Sequence, residues 1–117
     1  MTALTNIVIA IVALLHVFFL ILEMFLWTRP FGLKTFNMTK EVAQSSATLA
    51  ANQGLYNGLL AAGLIWGLLG GGFAIKAFFL IWVLIAGVYG GLTAKRSILY
   101  MQALPALIGL ILLYLSK

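Results

Sequence analysis

Residues 59–87 read LLAAGLIWGLLGGGFAIKAFFLIWVLIAG. A single charged side chain, Lys76, interrupts this stretch, and Gly70, Gly71 and Gly72 divide it. Two apolar runs on either side of a tight-turn signal predict a helical hairpin with almost nothing polar to offer water. A hydrocarbon core of about 30 Å takes about 20 apolar residues per crossing helix. Extended outward on this rule, the two halves become spans at 47–69 and 73–93. Apolar runs on the flanks add a first span at about 4–27 and a fourth at about 98–115. Trp27 lies at a membrane-interface position, and Pro30 is expected to stop the first helix. The expected fold is an all-α membrane protein, a single four-helix transmembrane bundle over residues 1–117. A long polar connection, Thr28 to Ser46, separates the first two spans, and Thr39 and Glu41 form a helix-start signal within it.

Composition agrees with this reading. Of 117 residues, 64% are hydrophobic and 8% charged, and the mean hydropathy is +1.16. Soluble domains are about 45–50% apolar and about 25% charged. Seven Lys and Arg with two Asp and Glu cannot coat a soluble domain, so a soluble globular protein is excluded, as is a disordered chain. The lack of cysteine excludes a disulfide scaffold. The net charge of +5 resides in short segments between apolar runs, with no basic stripe interleaved with aromatics, so no nucleic-acid partner is expected. Arg29, Lys34, Lys40, Lys95 and Arg96 fall in the loops after spans one and three, against Lys76 and Lys117 on the other side. The positive-inside rule puts those two loops in the cytoplasm and both termini outside, in a multi-pass protein of the cell membrane. Membrane lipid is the obvious surrounding partner.

Ionisable and amide side chains within spans are costly and usually meet a partner or a cavity. His16, Glu23 and Trp27 lie within about 20° of one helix face at 100° per residue. Counted from the cytoplasmic ends of their spans, Glu23, Asn52, Gln53, Tyr89 and Gln102 share a depth of about 6–9 Å at 1.5 Å per residue. Tyr56 and Asn57 lie deeper, nearer His16. The spans therefore direct their polar side chains toward the cytoplasmic half of the membrane, and the outer half reads as nearly pure Leu, Ile, Ala, Gly and Phe. The expected site is a polar intramembrane pocket, with Asn52, Gln53, Tyr56, Asn57, Tyr89 and Gln102 as ligand-binding groups and Glu23 and His16 as candidate acid or base. The same side chains can instead serve as hydrogen-bonded glue between helices.

One His and one Glu seven residues apart are too few ligands for a zinc site, and no nucleophile triad, P-loop or dinucleotide fingerprint occurs. No metal or cofactor is expected. Gly54, Gly58 and Ala62 repeat every four residues, as do Gly63, Gly67 and Gly71, and Gly87 and Gly91. This spacing lets helix backbones approach closely, within the chain or in a homo-oligomer. Pro105 removes one backbone hydrogen bond toward Met101 and predicts a kink beside Gln102.

The motifs His16-x-x-Phe19-x-x-x-Glu23-x-x-x-Trp27, Phe36-Asn37-Met38 and Asn52-Gln53-Gly54-Leu55-Tyr56-Asn57-Gly58 resemble those of the DUF1304 family of bacterial four-span membrane proteins. The likeness covers nearly the whole chain. It implies the architecture and places His16, Glu23, Asn52, Gln53, Tyr56 and Asn57 on motif positions, and it implies no activity. A partial similarity links Asn52 and Tyr56 to the helix-two motif of the MAPEG family of membrane glutathione transferases. That motif's Arg and Glu fall near Thr48 and Leu55 here, so the charged contacts to glutathione are missing.

Three functions follow from these residues. The first is a membrane protein of uncharacterised function whose pocket binds, or acts on, a lipophilic small molecule. The second is a structural or regulatory partner of another membrane protein, using the small-residue faces. The third is a proton-coupled transporter resembling the small multidrug resistance type, with Glu23 as the span-one acid. Against the third, Glu23 lies near the end of its span and the charge bias is strong.

Overall fold

The computed structural model describes residues Met1–Lys117, and all its regular elements are helical. Helix α1 runs over Thr2–Met24, the short α2 over Pro30–Thr35, α3 over Lys40–Trp66 and α4 over Gly72–Thr93. A π-turn, Leu99–Ala103, leads into α5, Leu104–Leu115. Two continuous stretches, Thr2–Met24 and Lys40–Thr93, are long and apolar enough to cross a membrane. The second contains the glycine triplet. There Gly70 has φ 130° and Gly72 φ 81°, values that a residue with a Cβ rarely adopts, so the triplet separates α3 from α4 as the sequence predicts.

Thr39 caps α3 as expected: the Val42 N–H donates to Thr39 Oγ1 at 3.2 Å, and Glu41 occupies the first turn. The first helix differs from expectation. It ends at Met24, where the N–H groups of Phe25 and Leu26 both turn onto the Ile21 carbonyl. Pro30 does not stop α1. It opens α2, at the first helical position where its missing N–H costs nothing. The connection from Thr28 to Ser46 is therefore partly helical. Its fold-back needs Gly32, since a Cβ there would lie 2.0 Å from the Leu26 carbonyl oxygen.

Two compact units make up the chain: Met1–Leu14 with Leu60–Lys117, and Leu15–Leu59. The first unit contains the main core, with Ile9 and Val12 of α1, Leu64 of α3, Leu80 and Val83 of α4, and Ala106 and Leu110 of α5 buried together. Its helices pack antiparallel. Gly63 faces Phe79 and Gly67 faces Lys76 across the α3–α4 turn, Gly91 faces Leu99, and Gly109 faces Leu80. Pro105 has the consequence that its chemistry requires: with no N–H to offer, it is preceded by the widened π-turn, within which Gln102 lies. That turn also presses Ala103 against α4.

In the second unit, Gly54 of α3 lies against Leu20, Glu23 and Met24 of α1, and Gly58 against Leu20. The Trp27 indole N–H donates to Ser46 Oγ at 3.0 Å, and its ring packs on Phe36 at 4.9 Å between centroids.

The tightest approach to backbone within the first unit is the most sensitive to added volume. A Cβ at Gly87 would lie 2.5 Å from the Ala103 backbone nitrogen, with no flexible side chain able to give way. Gly87→Val is expected to destabilise the fold by about 1–3 kcal/mol, the range for overpacking. Ala86→Val, on the exposed neighbouring position, should stay within about 0.5 kcal/mol. Thermal unfolding of the purified variants in mild detergent checks both values.

Candidate functional site

The inward face of α3 is built from small residues. Ala43, Ala50, Gly54 and Asn57 are buried along it, and Asn57 is the one polar group among them. At 100° per residue these four positions fall on one side of the helix. Small side chains let α3 approach α1 closely, and that approach brings Asn57 to Glu23 in the last turn of α1. The Asn57 Nδ2 donates to Glu23 Oε1 at 2.5 Å.

Asn57 is 4% exposed and Glu23 is half-buried. The other half of the carboxamide is unsatisfied: Asn57 Oδ1 is buried and accepts no hydrogen bond. Leaving a buried acceptor unpaired costs about 1–3 kcal/mol. Native structures leave few such groups, so this one marks a place where a donor is wanted. A carboxyl beside a free carbonyl oxygen makes an acceptor-rich spot, suited to a ligand that brings N–H or O–H groups.

The remaining predicted residues are distributed differently. His16 is fully buried, edge-on to Phe19 at 5.3 Å between ring centroids, and engaged by further contacts. Gln102 is half-buried in the π-turn and likewise engaged. Asn52 and Gln53 are exposed, and Asn52 Nδ2 reaches back to the Thr48 carbonyl of its own helix at 3.4 Å. Tyr56 is 62% exposed and Tyr89 70%. Of the eight candidates, Glu23 and Asn57 are the pair joined by a direct hydrogen bond, while Asn52, Gln53, Tyr56 and Tyr89 lie on the surface of the chain.

A second polar group is absent from the sequence reading. In the first unit, buried Thr5 meets Ser116 at 2.7 Å and Lys76 Nζ donates to Asn6 Oδ1 at 3.0 Å. The end of the first unit where α1 and α4 begin therefore carries polar contacts among its apolar side chains. Thr5, Asn6 and Ser116 lie near the ends of the chain, and Lys76 lies in the second turn of α4. The available signals are Lys76 as the one charged side chain of the 59–87 stretch, and Thr5 and Asn6 inside an otherwise apolar first span.

Comparison with known proteins identifies relatives without assigning chemistry. The family profile of DUF1304, described as a protein of unknown function, matches residues 10–114. The uncharacterized protein YpaA of Lactococcus lactis subsp. lactis (strain IL1403) is 36% identical over 115 residues, covering 95% of this chain and 97% of that protein. No solved structure matches the chain. The family match spans most of the chain and includes both Glu23 and Asn57, and on that footing this chain belongs to the DUF1304 family.

Proposed function

We propose that this chain is a four-span membrane protein, with both termini on the non-cytoplasmic side, that binds a lipophilic molecule through a donor head group held by Glu23 and Asn57. The observation that carries the binding site is the buried, unpaired Asn57 Oδ1 beside the Glu23 carboxyl. Two apolar stretches of crossing length support the membrane reading, and the glycine triplet that separates α3 from α4 within the longer one supports two passes there. The distribution of Lys and Arg supports the orientation. An alkylammonium or a hydroxyl head matches the two acceptors, and an apolar tail matches the surrounding helices. Removal from water strengthens the charge-assisted hydrogen bonds between such a head and the carboxylate.

Head-group chemistry separates this site from general partitioning into the bilayer. In nanodiscs of phosphatidylcholine, dodecylamine is expected to raise the unfolding temperature of the protein, and dodecanoate, with an acceptor head, to leave it unchanged. Glu23→Gln should abolish the dodecylamine response. Asn57→Ala should weaken apparent binding about tenfold, equivalent to about 1.4 kcal/mol. An equal response from the wild type and Glu23→Gln overturns the assignment.

A homo-oligomer is a second reading, favoured by the outward face of α3. Ser45, Leu49, Asn52, Tyr56 and Leu59 are all exposed and follow one another at alternating spacings of four and three. That is the seam of a left-handed helix pair, and a carboxamide within it, both donor and acceptor, pairs with its own copy. The chain has no cysteine, so a single introduced thiol reports proximity cleanly. Asn52→Cys should give a cross-linked dimer in membranes on mild oxidation, and Ile85→Cys on the exposed side of α4 should not.

A further inference from the structure

Helices α1 and α4 both begin at one end of the first unit, and α5 ends there. A cavity of about 180 Å³ opens at this end, lined by Thr5, Asn6, Phe73, Lys76, Ser116 and Lys117 among others. A cavity of about 150 Å³ holds a benzene-sized guest, so there is room for a compact polar group. No Asp or Glu lines it, and two lysines do.

Each ammonium has a partner within the first unit. Lys76 Nζ spends one hydrogen on Asn6 Oδ1 and keeps two others. This bond turns the Asn6 amide donors away from Lys76. Lys117 Nζ sits over the Phe73 ring at 4.7 Å, and Tyr114 holds that ring edge-on at 5.1 Å between centroids. Thr5 and Ser116 satisfy one another and the Leu112 carbonyl, which ties the start of α1 to the end of α5 beneath the cavity. The first turns of α1 and α4, helices of 23 and 22 residues, add partial positive charge at the same place. The last turn of α5 offsets part of this with its partial negative charge, and the two ammonium groups leave the lining of the cavity with an excess of positive charge.

We propose that this cavity binds a phosphate group, contacted by Lys76 and Lys117. Lysine serves phosphate as a point charge. The phosphate can come from the head group of an anionic lipid or from solution. The lipid source rests on the membrane reading above, and the free source does not.

The test uses the full chain in neutral alkyl maltoside micelles, which carry no phosphate. Added phosphatidylglycerol is expected to raise the unfolding temperature. Inorganic phosphate is titrated against the same readout. A response to phosphatidylglycerol identifies the lipid source and a response to inorganic phosphate the free one; either supports the site. The double variant Lys76→Met/Lys117→Met should weaken the apparent affinity at least tenfold while its unfolding temperature without added anion stays near that of the wild type. Lys95→Met/Arg96→Met removes the same charge elsewhere and should keep the full response. Should the double variant fail to fold, Lys117→Met, at an exposed position, should still lower the response. The proposal is overturned by a wild type that responds to neither anion, by lysine variants that respond fully, or by an equal loss in Lys95→Met/Arg96→Met. A chain that fails to enter bilayers yet binds phosphate in detergent contradicts the membrane reading alone.

Discussion

At Gly87, α4 comes so close to the chain at Ala103 that a methyl group would overlap the neighbouring amide. Between helices this apolar there is little else to choose one arrangement over another. On the proposed membrane reading the surroundings are as apolar as the side chains, so association depends on van der Waals contact and on a few polar bonds. Glycine and alanine supply the contact by removing side-chain volume where backbones meet. The same device recurs at Gly63 against Phe79 in the first unit, and at Gly54 and Gly58 against α1 in the second. The widened turn before Pro105 belongs to it as well, since that turn delivers Ala103 to α4.

Close approach also decides where the few polar groups can act. With a bulky residue at position 54, α3 could not lie against Glu23 and Met24, and Asn57 could not reach the carboxyl. Where α1 and α4 begin in the first unit, the Thr5 and Ser116 hydroxyls can meet because the helices bearing them are packed through Gly109, Leu80 and Val8. The two polar groups have opposite character. Glu23 with Asn57 Oδ1 accepts, and Lys76 with Lys117 donates. Each is left with capacity that its own unit does not use, which is why each suggests a ligand of complementary chemistry.

Much of this fold is legible in the residues. The glycine triplet, the Thr39 cap and the disturbance ahead of Pro105 are local effects, fixed by backbone chemistry within one turn, and they appear where local rules put them. The end of α1 was misplaced because Trp27 and Pro30 read as terminators. The helix instead stops at Met24, and Pro30 is consumed as the first residue of α2. The site was harder to read. Depth along a span can be counted from its ends, but which side of a helix faces a neighbour depends on packing that no single helix encodes. The pairing of Thr5 with Ser116 and of Asn6 with Lys76 is illegible for a related reason: the partners are far apart in the chain and meet only through antiparallel packing.

Helix α3 makes the point with one residue type. Asn52 and Asn57 stand five positions apart, about 140° around the helix. They are the same residue type on one helix, and their circumstances differ. Asn57 lies on the face lined with Ala43, Ala50 and Gly54, so it is buried, bonded to a carboxyl, and left with an acceptor that needs a donor. Asn52 lies on the face lined with Leu49, Tyr56 and Leu59, so it is exposed and turns to its own backbone. In the second position the carboxamide suits a like group on another copy, and in the first it suits a ligand. The phase of the small residues, rather than the amide itself, sets the chemistry that each asparagine can perform.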